Sequence, residues 1–303
     1  MITKALIIGF GSSGRRHAEI LESLLTKENI LVLTRQKDIA YNCVNSFDNI
    51  KGFNPDYIIV ASETSKHFSY LKQIESSMIN KTVLIEKPLF DKKIHLNELR
   101  NNYFVGYNLR FHPLINKLKE DIATEEIFSV DVVCNSYLPD WRNNIPYEDS
   151  SSASKARGGG VLLDLSHEID YINYIFGDIS HLFSENIKLS KLDIDTDDYL
   201  SLIGKIKKGG LFTLNMKYFS FNEIRRLSIE TNLRSIVLDI LNSQITYFSG
   251  DKVEKIESDY LFDSTYLDQH KAVLDNDFSK ICSLDEGIKV MEMIDSVQKV
   301  RER

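Results

Sequence analysis

The chain has 303 residues, enough for about two ordinary domains, and its 43% hydrophobic and 27% charged residues are typical of a folded globular protein. Its 44 acidic and 37 basic residues give a net charge of -7 without a basic block, which excludes the electrostatic footprint of a nucleic-acid-binding protein. Cys43, Cys134 and Cys282 lack C-x-x-C spacing, and no apolar run approaches the roughly 18 residues of a membrane span. These features predict a cytoplasmic protein with reduced cysteines and no metal, nucleic-acid or membrane partner.

Short apolar runs alternate with helical patterns over about the first hundred residues, a pattern typical of parallel strands joined by crossover helices. The runs lie at residues 5–8, 30–33, 57–61, 83–85 and 103–106. A doubly wound parallel sheet is therefore predicted for a first domain of residues 1–112.

From about residue 127 the pattern changes to successive strands with few helices between them. These strands are predicted at residues 128–137, 182–189, 199–205, 211–218, 226–230, 235–239 and 244–248. The short links at 207–210 and 231–234 predict hairpins. One helix is predicted at 161–176 and a last one at 284–300, so residues 113–303 form a second α/β domain with an open, largely antiparallel sheet.

A glycine motif follows the first apolar run directly and precedes a helical pattern at 15–25. Gly9, Gly11 and Gly14 give the spacing G-x-G-x-x-G of a dinucleotide-binding loop. In such a loop the first glycine permits a tight turn, the second admits a pyrophosphate, and the third lets helix and strand pack closely. The hydroxyls of Ser12 and Ser13 add donors for the phosphates.

The second strand ends at Thr34 and Arg35, where NAD sites commonly carry an acid for the ribose 2'-hydroxyl. The next acid is Asp38. Arg35 can bind a 2'-phosphate or stack on adenine, so the sequence favours NADP over NAD, with a solvated surface arginine as the alternative.

Five stretches together resemble the Gfo/Idh/MocA oxidoreductases, the family of glucose-fructose oxidoreductase and inositol dehydrogenase. They occur in the family's order and span the whole chain. They are GFGSSGRRH at 9–17, ASETSKH at 61–67, EKPL at 86–89, GYNLRFHP at 106–113 and GGGVLLDLSHEID at 158–170.

This resemblance implies a Rossmann domain followed by an α/β domain whose open sheet often forms an oligomer interface. It places Lys87, with Glu86, beside the nicotinamide and the substrate carbinol, and Asn108 facing the nicotinamide or substrate. An ammonium at the carboxyl end of a strand favours a developing alkoxide, whereas the alternative makes Lys87 a surface partner of Glu86.

By family position, Ser62, Thr64 and His67 border the ribose and pyrophosphate. Helix capping by Thr64 is an equal alternative.

The resemblance also implies an acid and a histidine from the predicted helix 161–176 against the nicotinamide. Helical spacing puts Asp164, His167, Glu168 and Tyr171 on a polar stripe that faces away from the helix's own core. His167 suits a general base, and Asp164 could orient its imidazole or hold a sugar hydroxyl. Many members have D-x-x-x-H where this chain has D-x-x-H, which leaves the individual roles open, with Asp170 as a substitute for the orienting acid.

The chain's single tryptophan, Trp141, stands next to Arg142 in a connecting stretch. This pair suits stacking on a sugar and pairing with phosphate or carboxylate, and anchoring of a long loop is an equal alternative.

Together these features predict an NAD(P)-dependent oxidoreductase of carbohydrate metabolism. It would transfer a hydride between nicotinamide and a secondary alcohol or ketone of a sugar, cyclitol or nucleotide sugar, as a homodimer or homotetramer by fold analogy. The alternatives are a member that uses a retained cofactor for glycosidic elimination and a non-catalytic dinucleotide-binding sensor.

Overall fold

The computed structural model describes residues 2–50, 52–142 and 145–300. The chain divides into two compact units, Met1–Asn108 with Asp263–Ile288, and Leu109–Phe262 with Lys289–Arg303. The predicted domain boundary between residues 112 and 113 stays a prediction. The two units also differ from the predicted domains in one respect, since Asp263–Ile288 belongs to the first unit.

The first unit is built on a seven-stranded sheet. Its strands are β1 (Ala5–Ile8), β2 (Ile30–Leu33), β3 (Asn42–Val44), β4 (Tyr57–Val60), β5 (Thr82–Ile85), β6 (Asn102–Val105) and β15 (Cys282–Ser283). They lie in the order β15-β6-β5-β4-β1-β2-β3, and every pair is parallel except β15 with β6. The strands β1, β2 and β4 are buried along their full length, as expected for a parallel sheet covered on both faces.

Among the described residues, three α-helices belong wholly to the first unit. They are α1 (Ser12–Leu24), α2 (His67–Ser77) and α6 (Ser264–Leu274). The predicted Rossmann arrangement is therefore confirmed, and the sheet places the carboxyl ends of β1, β2, β4 and β5 along one edge.

The second unit is built on an eight-stranded sheet. Its strands are β7 (Ile127–Tyr137), β8 (Ile179–Ile187), β9 (Tyr199–Ile206), β10 (Leu211–Lys217), β11 (Phe219–Thr231), β12 (Ser235–Asp239), β13 (Gln244–Ser249) and β14 (Lys252–Glu257). They lie in the order β14-β13-β12-β11-β7-β10-β9-β8, and all pairs are antiparallel except β7 with β10. This confirms the largely antiparallel second sheet.

The helices of the second unit are α3 (Pro113–Asp121), α4 (Val161–Asp164) and α5 (His167–Phe176), and α7 (Leu284–Val300) crosses the division between the units. The prediction of a single helix at 161–176 is wrong, because α4 ends at Asp164 and a second helix, α5, begins at His167. Leu165 adopts φ -96° and ψ 25°, outside regular α-helical geometry, and this separates α4 from α5.

The helices in the described part of the chain lack the length and apolar character needed to cross a membrane. The three cysteines are free thiols.

Candidate active site

The glycine loop joins β1 to α1 through very close packing. Gly9 has φ +96°, and a Cβ added there would lie 2.6 Å from the carbonyl oxygen of Ala61. A Cβ on Gly14 would lie 2.2 Å from the carbonyl oxygen of Gly9. Both positions therefore require glycine for the packing of loop, strand and helix.

Gly11 differs from the other two glycines because a Cβ there would meet no atom within 4 Å. Gly11 is the N-cap of α1 and has no side chain that could cap the helix. The first turn of α1 holds no acidic residue. The free amides and the helix dipole at this end can accept an anion, and Ser12 and Ser13 begin the helix. The residues present fit the pyrophosphate of a dinucleotide.

The end of β2 is tied to the glycine loop through Gln36. The side-chain amide of Gln36 donates to the carbonyl oxygen of Phe10 at 2.9 Å, and its carbonyl accepts from Arg15 at 3.2 Å. The hydroxyl of Thr34 accepts from the Gln36 backbone N–H at 3.1 Å. Arg35 is exposed between these bonded neighbours, as its predicted contact with a cofactor requires.

His67 lies buried at the start of α2 and contacts backbone oxygens through both ring nitrogens. Nδ1 lies 3.1 Å and 3.2 Å from the carbonyl oxygens of Pro88 and Leu89, and Nε2 lies 3.1 Å from that of Ser62. Burial lowers the pKa of His67, so its neutral ring donates on one side only. His67 therefore lies between the segment after β4 and the segment after β5 and can donate to only one of them, and its contact with cofactor stays a prediction.

Thr64 begins a short 3-10 turn, Thr64–Lys66, and the N-cap of α2 is Lys66. The alternative in which Thr64 caps the following α-helix is therefore wrong. The cofactor contacts of Ser62 and Thr64 stay predictions.

Glu86 follows β5 and is 5% exposed, so Glu86 itself is not a surface residue, and the role of Lys87 stays a prediction. Its Oε1 lies 2.8 Å from Nε2 of His17, and its Oε2 accepts the backbone N–H of Lys87 at 3.1 Å. Burial alone would raise the pKa of Glu86, but the hydrogen bond from His17 and the nearby charge of Lys87 outweigh it and lower that pKa. The Lys87-Pro88 peptide is cis, and the Lys87 side chain is partly exposed.

Asn108 is fully buried and its side-chain amide donates to Oγ1 of Thr265 at 2.5 Å. Within the described residues its Oδ1 has no hydrogen-bond partner, so this acceptor is available to a ligand group or a buried water. Thr265 belongs to α6, far along the chain, and sequence reasoning did not find it.

In the second unit, the glycine run before α4 is packed against backbone and an aspartate. A Cβ on Gly159 would lie 2.2 Å from the carbonyl oxygen of Ser151. Gly160 has φ +119°, and a Cβ there would lie 2.5 Å from Oδ1 of Asp197. Asp197 accepts the Leu162 N–H through Oδ2 at 3.0 Å, which fixes the start of α4.

Asp164 ends α4 and accepts the hydroxyl of Tyr218 at 2.5 Å. Burial and the charge of Asp164 raise the pKa of Tyr218, so the phenol stays a donor. The ring of Trp141 packs edge-on against Tyr218 with ring centres 5.1 Å apart. This contact supports loop anchoring by Trp141, while sugar stacking by Trp141 and pairing by Arg142 stay predictions.

His167 begins α5 and is buried, as are Glu168 and Tyr171. These three side chains are therefore not a solvated face of the helix, and the orientation of the polar stripe away from the helix's own core stays a prediction. Glu168 is held by Arg225, whose Nε and Nη2 donate to the two carboxylate oxygens at 2.7 Å and 3.0 Å. A bidentate pair of this kind stabilises a buried charge.

Asp170 also has a structural partner. Nη2 and Nε of Arg110 donate to its carboxylate at 2.7 Å and 3.0 Å, and both side chains are buried. Asp170 is thus part of a buried ion pair within the second unit, and its role as a substitute orienting acid stays a prediction.

Over residues 2–50, 52–142 and 145–300, no group of three or more His, Cys, Asp and Glu side chains is arranged to hold a metal ion.

Comparisons with known proteins agree with this architecture. Residues 3–102 match a family model described as "Oxidoreductase family, NAD-binding Rossmann fold", and residues 115–232 match the "GFO/IDH/MocA C-terminal domain". A search of curated protein sequences returned no significant match.

Solved structures share the fold over nearly the whole chain. A levoglucosan dehydrogenase in complex with NADH is 16% identical with a TM-score of 0.82, over 98% of this chain and 96% of that one. GenD2 from gentamicin A biosynthesis, in complex with NAD, is 18% identical with a TM-score of 0.80, over 100% and 95%. The UDP-N-acetylglucosamine 3-dehydrogenase GnnA from Acidithiobacillus ferrooxidans is 16% identical with a TM-score of 0.77, over 99% and 98%.

The two family models together span most of the chain, the glycine loop has the geometry of a dinucleotide site, and both predicted sheets are present. The chain therefore belongs to the Gfo/Idh/MocA family of NAD-binding oxidoreductases.

Proposed function

We propose that this protein transfers a hydride between nicotinamide and a secondary alcohol or ketone of a sugar, cyclitol or nucleotide sugar. The observation that carries the proposal is the setting of Lys87. It follows the carboxyl end of β5, its backbone N–H is held by buried Glu86, and its side chain is partly exposed. Three structures with the same fold bear the names of a levoglucosan dehydrogenase, a gentamicin biosynthesis protein and a nucleotide-sugar dehydrogenase, which supports a carbohydrate-type substrate.

The bound dinucleotide would supply the hydride acceptor or donor at C4 of its nicotinamide. Lys87 stabilises negative charge on the substrate oxygen, and His167 accepts the hydroxyl proton during oxidation and returns it during reduction. Asp164, held by Tyr218, orients a substrate hydroxyl or the imidazole, and Trp141 and Arg142 contact the rest of the substrate. Asn108 presents its buried Oδ1 to the nicotinamide or substrate.

Gly9, Gly11 and Gly14 with Ser12 and Ser13 hold the pyrophosphate at the start of α1. Arg35, exposed beyond β2, binds the 2'-phosphate of NADP, with Thr34 beside it. Ser62, Thr64, His67 and Glu86 complete the cofactor-binding set.

The test is the substitution Lys87→Met, which keeps the length of the side chain and removes its charge. Turnover of the responsive substrate in a panel of sugars, cyclitols and nucleotide sugars should fall about 100-fold or more, because the charge acts on the transition state. Dinucleotide affinity, measured by fluorescence titration, should change by less than about threefold. Unchanged turnover would remove Lys87 from the chemistry.

The same panel tests the proposed reaction itself. Net oxidation or reduction of the dinucleotide supports hydride transfer. Bond cleavage without net change in the dinucleotide would instead identify an elimination of glycosides, and dinucleotide binding without turnover on any member would favour a sensor.

A further inference from the structure

A chain of four polar side chains crosses the interior of the first unit. Oε1 of Glu86 lies 2.8 Å from Nε2 of His17, and Nδ1 of His17 lies 2.8 Å from Nε2 of His270. Nδ1 of His270 lies 3.1 Å from the hydroxyl of Tyr57. Glu86 is 5% exposed and the other three are fully buried, so this chain takes no direct part in substrate contact.

The hydrogen bonds of this chain can all run in one direction. Burial and the charge of Glu86 raise the pKa of Tyr57, which keeps the phenol protonated as a donor to Nδ1 of His270. His270 then carries its proton on Nε2 and donates to Nδ1 of His17, which in turn donates through Nε2 to the Glu86 carboxylate. Burial lowers the pKa of His270, in agreement with a neutral ring. Every nitrogen and oxygen in this arrangement has a partner of the right kind.

The four hydrogen-bonded side chains come from segments that lie far apart in sequence. Tyr57 begins β4, His17 lies on α1, Glu86 follows β5, and His270 lies on α6. The helix α6 also carries Thr265, the hydrogen-bond partner of Asn108. Two predicted site residues, Asn108 and the backbone at Lys87, are therefore supported by one helix that follows them by more than 150 positions.

We propose that Tyr57, His270, His17 and Glu86 act as a positioning chain that fixes the backbone of Lys87. His270 is the member of this chain that connects α6 to the Lys87 segment. This inference rests on the proposed role of Lys87. Tyr57, His270 and His17 are positioning residues, since they act through the Glu86 carboxylate, which holds the Lys87 N–H.

The physical reason is the cost of an incomplete buried network. Removal of the His270 ring nitrogens leaves Nδ1 of His17 and the Tyr57 hydroxyl unpaired where water does not reach. His17 can regain a partner only by turning, and any turn weakens its bond to Glu86. Glu86 then no longer holds the Lys87 backbone, and a displacement of a catalytic group by about 1 Å costs about 100-fold in rate.

The test compares three variants of the full chain. His270→Phe keeps the ring and removes both nitrogens, and it should lower kcat about 10- to 100-fold with dinucleotide Kd changed by less than about threefold. His270→Gln can place its amide nitrogen near the position of Nε2, so it should recover most of kcat. Tyr57→Phe removes only the hydroxyl at the far end of the positioning chain, so it should lower kcat per folded molecule by a smaller factor than His270→Phe does.

A purely structural role predicts a different result. In that case His270→Phe would lower the melting temperature, kcat per folded molecule would stay at the wild-type value, and His270→Gln would offer no kinetic rescue. That outcome would overturn the proposal.

A second measurement needs no turnover, so it separates failure of this proposal from failure of the proposed function. Nitrogen-15 NMR of the wild-type protein near neutral pH should show His270 as a neutral ring with both nitrogens hydrogen-bonded. Hydrogen exchange at the Lys87 amide should be at least about tenfold faster in His270→Phe than in wild type. A His270 ring nitrogen without a hydrogen bond, or a Lys87 amide that exchanges at the wild-type rate in this variant, would overturn the positioning chain.

Discussion

At the scale of single residues, Arg35 is the predicted determinant of cofactor choice. Its exposed guanidinium can bind a 2'-phosphate by charge-assisted hydrogen bonds, which NAD cannot make. Arg35→Ala should therefore weaken NADP binding about 10- to 100-fold and NAD binding by less than about threefold. Arg35→Asp should reverse the preference, because a carboxylate at this strand end binds the ribose hydroxyls. Fluorescence titration with both dinucleotides measures this, and equal losses for both would contradict the assignment.

The buried Glu86 carboxylate should make the free energy of unfolding depend on pH. Its pKa in the folded chain is lowered from the ordinary value of 4.5, so the folded state favours the carboxylate. The stabilisation is then fully present above the ordinary pKa and is lost as the pH falls through the lower, folded-state pKa. Glu86→Gln should lower the free energy of unfolding by about 1–3 kcal/mol at neutral pH, and this difference should shrink at pH values below the ordinary pKa. Urea unfolding of both proteins across that range is the measurement, and a constant difference would contradict the buried carboxylate.

Sequence reasoning identified residues that stand in recognisable stretches and missed those that support them. Lys87 and Asp164 are found by their surroundings in the sequence, whereas His270 and Tyr218 lie in segments with no motif. A hydrogen bond between residues 253 positions apart, such as that of His17 with His270, leaves no local signal. The buried state of Glu168 was also missed, because its partner Arg225 lies on a distant strand and helical spacing alone describes a charged residue as solvent-facing.

At the scale of elements, the loop between β1 and α1 separates two roles of glycine. Gly14→Ala would place a methyl group against the carbonyl oxygen of Gly9, so it should lower the free energy of unfolding by about 1–3 kcal/mol or more. Gly11→Ala meets no protein atom and its φ of -74° suits alanine, so its stability should stay within about 0.5 kcal/mol of wild type. Its dinucleotide affinity should nevertheless fall about tenfold or more, since the methyl group occupies the approach of the pyrophosphate. Denaturant unfolding and fluorescence titration measure the two effects, and unchanged affinity in Gly11→Ala would contradict the phosphate site.

The elements themselves were predicted where their hydrophobic pattern is strong. The runs that became β1, β2 and β4 are continuous and buried, and their existence followed from the sequence. In contrast, α6 places Thr265, Gln269 and His270 on its buried face, which hides the apolar periodicity of a helix. The strand β14 was missed because most of its side chains are exposed and charged.

At the scale of the whole molecule, the class of each sheet could be predicted but the path of the chain could not. A change from alternating strands and helices to successive strands marks the passage from one sheet type to the other. The return of Asp263–Ile288 to the first unit depends on pairing of β15 with β6 and on the packing of α6, contacts without local sequence signals.

The predicted homodimer or homotetramer can be tested by substitution on one face of the second sheet. This is the face opposite the buried residues of β9. Leu200 and Leu202 are buried on one face of that strand, and Ile203, 40% exposed, points to the other. The wild-type chain should elute as a dimer or tetramer in size-exclusion chromatography with light scattering, because exposed apolar side chains on an open sheet gain free energy when a second copy covers them. Ile203→Lys should shift the mass toward the monomer, since it buries an unpaired charge in such an interface. Leu261→Lys, a change at an apolar side chain that is 73% exposed outside the sheet, is the matched control and should leave the mass unchanged. A monomeric wild type, or an Ile203→Lys variant with the wild-type mass, would contradict assembly through this face.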